Sequence, residues 1–165
     1  MTSPSSTTDV WHIGSTPLHS RFLLGTAGYP SPDVLRQAIE ASGSQVLTLG
    51  LKRTLAAPGG GDNGFVQIIR DTAQAHGAHL LPNTAGCRSA QEAITLAHMA
   101  RELLGTHWIK LEVVGDEQTL QPDPFELVAA AAQLIRDGFE VLPYCTDDLV
   151  SARRLVDAGC RILMP

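Results

Sequence analysis

The amino-acid sequence predicts an α/β protein in which parallel strands alternate with helices. Short apolar runs recur along the chain, and because most of them are apolar on both faces they are typical of parallel strands that helices cover. Segments with helix start and stop signals lie between these runs. The strand starts are about 20 to 35 residues apart, a spacing that fits right-handed crossovers within one sheet.

Six apolar segments have the length and composition of buried strands. In chain order they are residues 21–26, 46–51, 79–83, 108–113, 140–144 and 161–164. Residues 1–9 are rich in Ser and Thr and show no apolar period, so we expect a disordered tail there. The sequence therefore predicts one domain over residues 10–165.

Five segments carry the signals that begin and end helices. Ser, Thr or Asp precedes four of them and Gly follows the last turn, as helix caps require. The fifth follows a glycine-rich stretch at residues 58–64, which we interpret as a flexible loop because no Lys-Ser or Lys-Thr pair follows it. The predicted helices cover about 32–42, 63–76, 90–104, 124–137 and a last segment from Thr146 or Asp147 to about Ala158.

The composition excludes several classes of protein. Hydrophobic residues make up 44% and charged residues 18%, which is typical of a globular protein. The net charge of -5 and the scattered basic residues make nucleic acid an improbable partner. The apolar runs are strand-sized and the first residues lack a signal pattern, so we expect no membrane segment and a cytoplasmic protein.

The cysteines and histidines do not show the spacing of metal ligands. Cys87, Cys145 and Cys160 are far apart and form no CxxC pair, so we interpret them as reduced thiols in buried structural positions. The six histidines form no HxxxH or HExxH pair. The sequence predicts no metal site.

The fourth predicted strand is the most informative part of the chain. In WIKLEV, residues 108–113, the two-residue period puts Ile109 and Leu111 on one face, and Lys110 and Glu112 on the other. If helices cover the apolar face, the two charges point inward, where desolvation favours the neutral amine that attacks a carbonyl, and Glu112 is placed to move protons. On an edge strand the same pair would only make one face of the strand hydrophilic. The spacing does not decide between these interpretations.

Polar residues also follow the third and fifth predicted strands. Asn83 and Thr84 end one, and Tyr144 ends the other. Because the carboxyl ends of parallel strands meet at one edge of the sheet, these side chains are candidates for substrate binding. Helix capping is the competing interpretation for polar residues in such places.

The order of elements fits two architectures, an open doubly wound sheet and a closed barrel of eight strands. A full barrel takes about 250 residues, so six strands in 165 residues would be an incomplete one. The order of elements in the sequence does not distinguish the two.

Six blocks of sequence resemble, in order, the signatures of the thiazole synthase family. The resemblance implies a parallel (β/α) barrel of TIM type that is incomplete, with about six of its eight strands in this chain. The blocks are SRFLLGTAGYP (20–30), LLPNTAGCRSAQEA (80–93), WIKLEVVGD (108–116), PDP (122–124), VLPYCTDD (141–148) and RRLVDAGC (153–160).

The resemblance also implies a reaction. Lys110 would form a Schiff base with 1-deoxy-D-xylulose 5-phosphate, and Glu112 matches the acid/base carboxylate of the family. Sulfur would come from the thiocarboxylate of a small sulfur-carrier protein, and condensation with dehydroglycine would close the thiazole of thiamin. The family needs no metal or organic cofactor for this step, and its members are homo-oligomers.

One departure from the family leaves alternatives open. Family members continue beyond the residues that match Met164 and Pro165, with two further units that supply phosphate-binding loops and another acidic catalytic residue. A truncated barrel that only binds the sulfur carrier is one alternative, and another Schiff-base barrel of the aldolase type is the second.

Overall fold

The computed structural model, which describes residues 9–52 and 63–165, is dominated by a five-stranded parallel sheet. Each strand pairs with the next strand along the chain, so the spatial order follows the chain order without reversal. A doubly wound sheet reverses its order part-way, and the open architecture is therefore wrong for this chain. The chain forms an incomplete (β/α) barrel. Its strands are β3 (Leu23–Gly25), β4 (Val46–Gly50), β5 (His79–Asn83), β6 (Trp108–Leu111) and β7 (Glu140–Pro143).

The strands agree with the prediction in position but several are shorter. β6 ends at Leu111, two residues before the predicted end, so Glu112 lies beyond the regular ladder. The predicted strand at residues 161–164 is not a regular strand, since a single parallel bridge joins Met164 to Tyr144. Of the predicted tail only Asp9 is described, and residues 58–62 of the predicted glycine loop lie outside the described residues.

Within residues 9–52 and 63–165, each of the five parallel strands is followed by a helix close to a predicted position. Ser31, Ser89 and Asp123 cap the amino ends of three helices by accepting hydrogen bonds from backbone N–H groups in the first turn, as their residue types predict. The last helix begins later than predicted, since Asp148 is its N-cap and accepts from the Ser151 N–H at 2.7 Å. The helices are α1 (Pro32–Ser42), α2 (Asn63–Ala75), α3 (Ala90–Leu104), α4 (Pro124–Arg136) and α5 (Leu149–Asp157).

Side chains alternate between two cores. Those that face the helices, such as Leu49, Ile109 and Leu111, form the larger core. Those that face the barrel interior form a smaller cluster, which includes Leu81 and Trp108. The two-residue period of each strand thus separates an outer apolar layer from an inner one.

An antiparallel hairpin that the prediction missed fills the amino end of the barrel interior. It consists of β1 (Trp11–Ile13) and β2 (Thr16–Leu18), and both Ile13 and Leu18 are fully buried in the inner cluster. The turn is Gly14-Ser15, and Gly14 has φ +60, a conformation that residues with a side chain rarely adopt. The pair Gly14-Ser15, a two-residue turn of the kind that joins antiparallel strands, was the unused signal for this hairpin in the sequence.

Across residues 9–52 and 63–165, none of the helices combines the length and the apolarity that crossing a bilayer requires.

Candidate active site

Lys110 and Glu112 lie together at the carboxyl end of β6. Their neighbours Ile109 and Leu111 are fully buried against the helices, so the alternation of the strand turns the two charges to the interior. Lys110 Nζ lies 3.4 Å from Glu112 Oε1, and the two side chains are 26% and 17% exposed. The amine and the carboxylate thus form an ion pair that is mostly removed from water.

Asn83 is the partner of Lys110 in the ladder between β5 and β6. Its Oδ1 accepts a hydrogen bond from the Ala85 N–H at 3.3 Å, which fixes the amide at the end of the strand. A Cβ at Gly50, the partner of Asn83 on β4, would lie 3.5 Å from that oxygen. β3 and β4 both end in glycine, so the last residue of each strand adds no side chain next to Asn83.

Tyr144 follows β7 and shares the interior register of Leu142, two residues earlier, which belongs to the inner cluster. Its backbone N–H donates to the Leu111 carbonyl at 2.8 Å and its backbone pairs with Met164. The structure thus places Tyr144 at the same end of the barrel as Lys110.

Thr84 has a different place from Asn83. Its side chain is fully buried, and its hydroxyl donates to the Glu112 carbonyl and accepts from the Glu112 N–H, both at 2.8 Å. The Thr84 N–H donates to the Lys110 carbonyl at 3.2 Å. One residue therefore contacts the backbones of both charged residues.

The loops around this site are tied to one another. The loop after β5 contacts the loop after β6, since the Val114 N–H donates to the Cys87 carbonyl at 2.7 Å and Arg88 forms an ion pair with Glu117. Glu126, in the first turn of α4, accepts from the Ala90 N–H of α3 at 2.6 Å. No motif in the sequence signalled these contacts, because their partners are far apart along the chain.

The other lysine of the chain, Lys52, is held outside this site. Its Nζ donates to the Gly86 carbonyl at 2.7 Å and contacts Glu92 Oε1 at 2.6 Å. Its hydrogen bond lowers the pKa of the Glu92 carboxyl below the ordinary value. This amine serves to tie two loops together.

The three thiols are free and buried, as the sequence predicts. Burial raises the pKa of Cys87 and of Cys160 to about 11, and it also raises the pKa of Cys145. A thiol is nucleophilic as the thiolate, so burial disfavours the reactive form of these cysteines. Within the described part of the chain, no three His, Cys, Asp or Glu side chains come together as metal ligands.

Comparison with known proteins gives a family and several relatives. The model of the family described as "Thiazole biosynthesis protein ThiG" matches residues 12–165. A thiazole synthase of Coxiella burnetii (strain Dugway 5J108-111) is 54% identical over 156 residues, which cover 94% of this chain and 58% of that protein. A thiazole synthase of Variovorax paradoxus (strain S110) is 58% identical over 149 residues, 89% of this chain and 53% of that protein. The chain thus spans little more than half the length of these curated relatives.

Two solved structures share the fold. The BexX/CysO complex of Amycolatopsis orientalis superposes with a TM-score of 0.73 at 28% identity, over 92% of this chain and 60% of that one. The 3-dehydroquinate dehydratase of Geobacillus kaustophilus HTA426 superposes with a TM-score of 0.59 at 12% identity, over 86% of this chain and 57% of that one. At 12% identity the second likeness shows the fold alone.

Proposed function

The chain belongs to the ThiG family of thiazole biosynthesis proteins, and on that premise we propose that it carries the Schiff-base site of a thiazole synthase of thiamin biosynthesis. The substrates are 1-deoxy-D-xylulose 5-phosphate, dehydroglycine and the thiocarboxylate of a sulfur-carrier protein. The observation that supports this most strongly is the position of Lys110, an interior amine 3.4 Å from a carboxylate at the carboxyl end of a barrel strand. In barrels of this type the active site lies at that end.

The first step is imine formation at Lys110. Its neutral amine attacks the ketone carbon, the carbinolamine loses water, and a C=N bond replaces the C=O bond. Glu112 supports this step in two ways. It takes a proton from the ammonium, which frees the lone pair, and it returns a proton to the departing hydroxyl.

The second step moves the carbonyl along the sugar. Glu112 removes a proton from the carbon beside the imine carbon, and the electron pair forms the C=C bond of an enaminol. A proton then returns to the former imine carbon while the neighbouring C–OH loses its proton and becomes C=O. The former imine carbon gains the electron pair that the neighbouring carbon loses. One carbon is thus reduced and the other oxidised, so the step needs no external oxidant.

Asn83 and Tyr144 are the side chains to which we assign contacts with the ketose. Both lie on the interior register near Lys110, and amide and phenol groups both donate and accept hydrogen bonds. Thr84 ends the same strand as Asn83, but its hydroxyl is committed to the Glu112 backbone. Its contribution to substrate binding is therefore indirect.

The proposal includes a protein partner. Sulfur enters from the carrier thiocarboxylate, and condensation with dehydroglycine closes the ring. A structural neighbour was solved as a complex of BexX with a second protein, CysO, which supports a protein partner here. The family resemblance further supports a homo-oligomer acting in the cytoplasm, with neither metal nor organic cofactor.

Product formation tests the proposal. The protein is mixed with 1-deoxy-D-xylulose 5-phosphate, a source of dehydroglycine and the carrier thiocarboxylate, and the thiazole phosphate is measured by mass spectrometry. We expect product only when all three are present. D-xylulose 5-phosphate, which carries one more hydroxyl, is the matched control. Turnover of that ketose without any sulfur donor would indicate an aldolase-type barrel, and carrier binding without turnover would indicate a non-catalytic protein.

A further inference from the structure

The regular pairing of β6 ends at Leu111, one residue before the carboxylate that the reaction needs. The backbone N–H and C=O of Glu112 consequently have no ladder partner on β5, which turns away after Asn83. An unpaired polar group in a buried place is costly, so such groups find another partner. At Glu112 that partner is the hydroxyl of Thr84, which satisfies both groups at 2.8 Å.

We propose that Thr84 is the positioning residue of the reaction, because its buried hydroxyl holds the Glu112 backbone where the carboxylate faces Lys110. This inference rests on the proposed function. The hydroxyl is fully buried and touches Glu112 through two hydrogen bonds, so it fixes both the place and the direction of the residue. It contacts no reacting atom itself.

Thr84 acts on the two charged residues through different atoms. Its backbone N–H donates to the Lys110 carbonyl, whereas its side-chain hydroxyl contacts Glu112. Replacing Thr84 with Val removes only the second contact, because Val keeps the backbone N–H and a branched side chain of similar size. The substitution therefore disturbs the position of Glu112, and slows the proton transfers assigned to it, while the backbone contact to Lys110 stays.

The chain contains a matched control in Thr26. Like Thr84, Thr26 lies one residue beyond a barrel strand, is buried, and donates its hydroxyl to a carbonyl of the next strand, that of Thr48 at 3.0 Å. That contact lies between β3 and β4 and touches neither Lys110 nor Glu112. Loss of the Thr26 hydroxyl reproduces the loss of a buried hydrogen bond without the effect on Glu112.

Two readouts test the proposal. Hydrogen exchange of the Glu112 amide, whose acceptor is the Thr84 hydroxyl, should become about tenfold faster in Thr84→Val and remain unchanged in Thr84→Ser. Incorporation of solvent deuterium at the carbon beside the ketose carbonyl reports proton transfer, and we expect its rate constant to fall about tenfold to a hundredfold in Thr84→Val. The KM for the ketose phosphate should stay unchanged in Thr84→Val. The rate constant should return to the wild-type value in Thr84→Ser and stay near that value in Thr26→Val.

The outcomes separate this inference from the proposed function. If the wild-type protein gives neither a borohydride-trapped imine with 1-deoxy-D-xylulose 5-phosphate nor deuterium incorporation, the proposed function fails and the positioning role fails with it. If the wild type gives both and Thr84→Val incorporates deuterium at the wild-type rate, the positioning role alone is overturned. An equal loss of rate in Thr84→Val and Thr26→Val would also overturn it, since loss of stability would then explain both.

Discussion

Lys52 and Lys110, the two lysines of the chain, show how surroundings decide what an amine does. Lys52 is 45% exposed and its Nζ is bonded to a carbonyl and a carboxylate, so its protons are committed to a structural link. Lys110 is 26% exposed and faces a carboxylate at 3.4 Å within the barrel. The second arrangement is the one to which we assign the proposed imine chemistry.

The burial of the thiols predicts that single cysteines react slowly in the folded protein. With pKa values raised to about 11 by burial, Cys87 and Cys160 are almost entirely protonated near neutral pH. We expect iodoacetamide at pH 7.5 to label neither cysteine in the folded protein within minutes, and to label both once guanidinium unfolds it. Peptide mass spectrometry measures the labelling. Rapid labelling of either cysteine in the folded protein would show that the thiol is accessible and ionised.

Local rules account for the residues that the sequence located correctly. The period of two placed Lys110 and Glu112 on one face, and Ser31, Ser89 and Asp123 were identifiable as caps because a cap depends on neighbours within a few residues. The bond between Thr84 and Glu112 joins residues 28 apart in sequence. No local rule reports such a pair, so the sequence alone could not assign this role to Thr84.

At the scale of elements, a polar cluster joins α3 to the end of α4. His98 Nε2 lies 3.0 Å from Asp137 Oδ2, and Arg101 donates to the Asp137 carbonyl at 2.9 Å while stacking on Phe139 at 4.5 Å. The hydrogen bond with His98 is the largest cause that lowers the pKa of Asp137 below its ordinary value of 3.8. The ionised carboxylate thus stabilises the contact between the two helices.

This cluster predicts how stability depends on pH. A carboxyl whose pKa is lower in the folded state contributes stability above its ordinary pKa, and loses that contribution as the pH falls through the folded-state value. The difference in free energy of unfolding between wild type and Asp137→Asn should therefore shrink as the pH falls from about 5 to about 3. Urea unfolding measures it, with Asp157→Asn at the end of α5 as control. A difference that grows toward low pH would show that the ionised Asp137 carboxylate does not stabilise the folded state.

Element boundaries were predicted less well than element types. β6 stops at Leu111 because β5 turns away at Thr84, and α5 starts after Asp148 because that carboxylate caps it. Both boundaries depend on tertiary neighbours or on competition among adjacent polar residues. Thr146, Asp147 and Asp148 all have capping side chains, and their order in the sequence does not choose among them.

At the scale of the whole molecule, the two ends of the barrel differ in the residues they carry. The hairpin of β1 and β2 inserts Ile13 and Leu18 into the inner cluster, where they meet Trp108 and Leu142. Glycines end β3 and β4 at the opposite end. The proposed substrate contacts lie at the carboxyl end, opposite the hairpin, which is the end where barrels of this type have their active sites.

The hairpin is expected to contribute strongly to stability. Replacing Ile13 or Leu18, both fully buried, with Ala should lower the free energy of unfolding by about 2 to 5 kcal/mol. Replacing the exposed His12 of the same hairpin should change it by no more than about 0.5 kcal/mol. Guanidinium unfolding followed by circular dichroism measures both. Equal losses for the buried and the exposed positions would show that the hairpin does not fill the interior.

The pattern of residues alone could not predict the order of the strands in the sheet. Alternating strands and helices establish a parallel sheet, but the same alternation builds an open sheet or a barrel, because the pattern does not record which strands are neighbours. The family resemblance supplied the choice, and the pairing of each strand with the next confirms it. The last predicted strand differs because only Met164 pairs with the sheet.

Borohydride trapping shows whether one amine, Lys110, captures the ketose. The protein is incubated with 1-deoxy-D-xylulose 5-phosphate and borohydride, and the adduct is located by peptide mass spectrometry. We predict an adduct on Lys110 that persists in Lys52→Arg and disappears in Lys110→Arg. An adduct on Lys52, or trapping that survives in Lys110→Arg, would show that Lys110 does not form the imine.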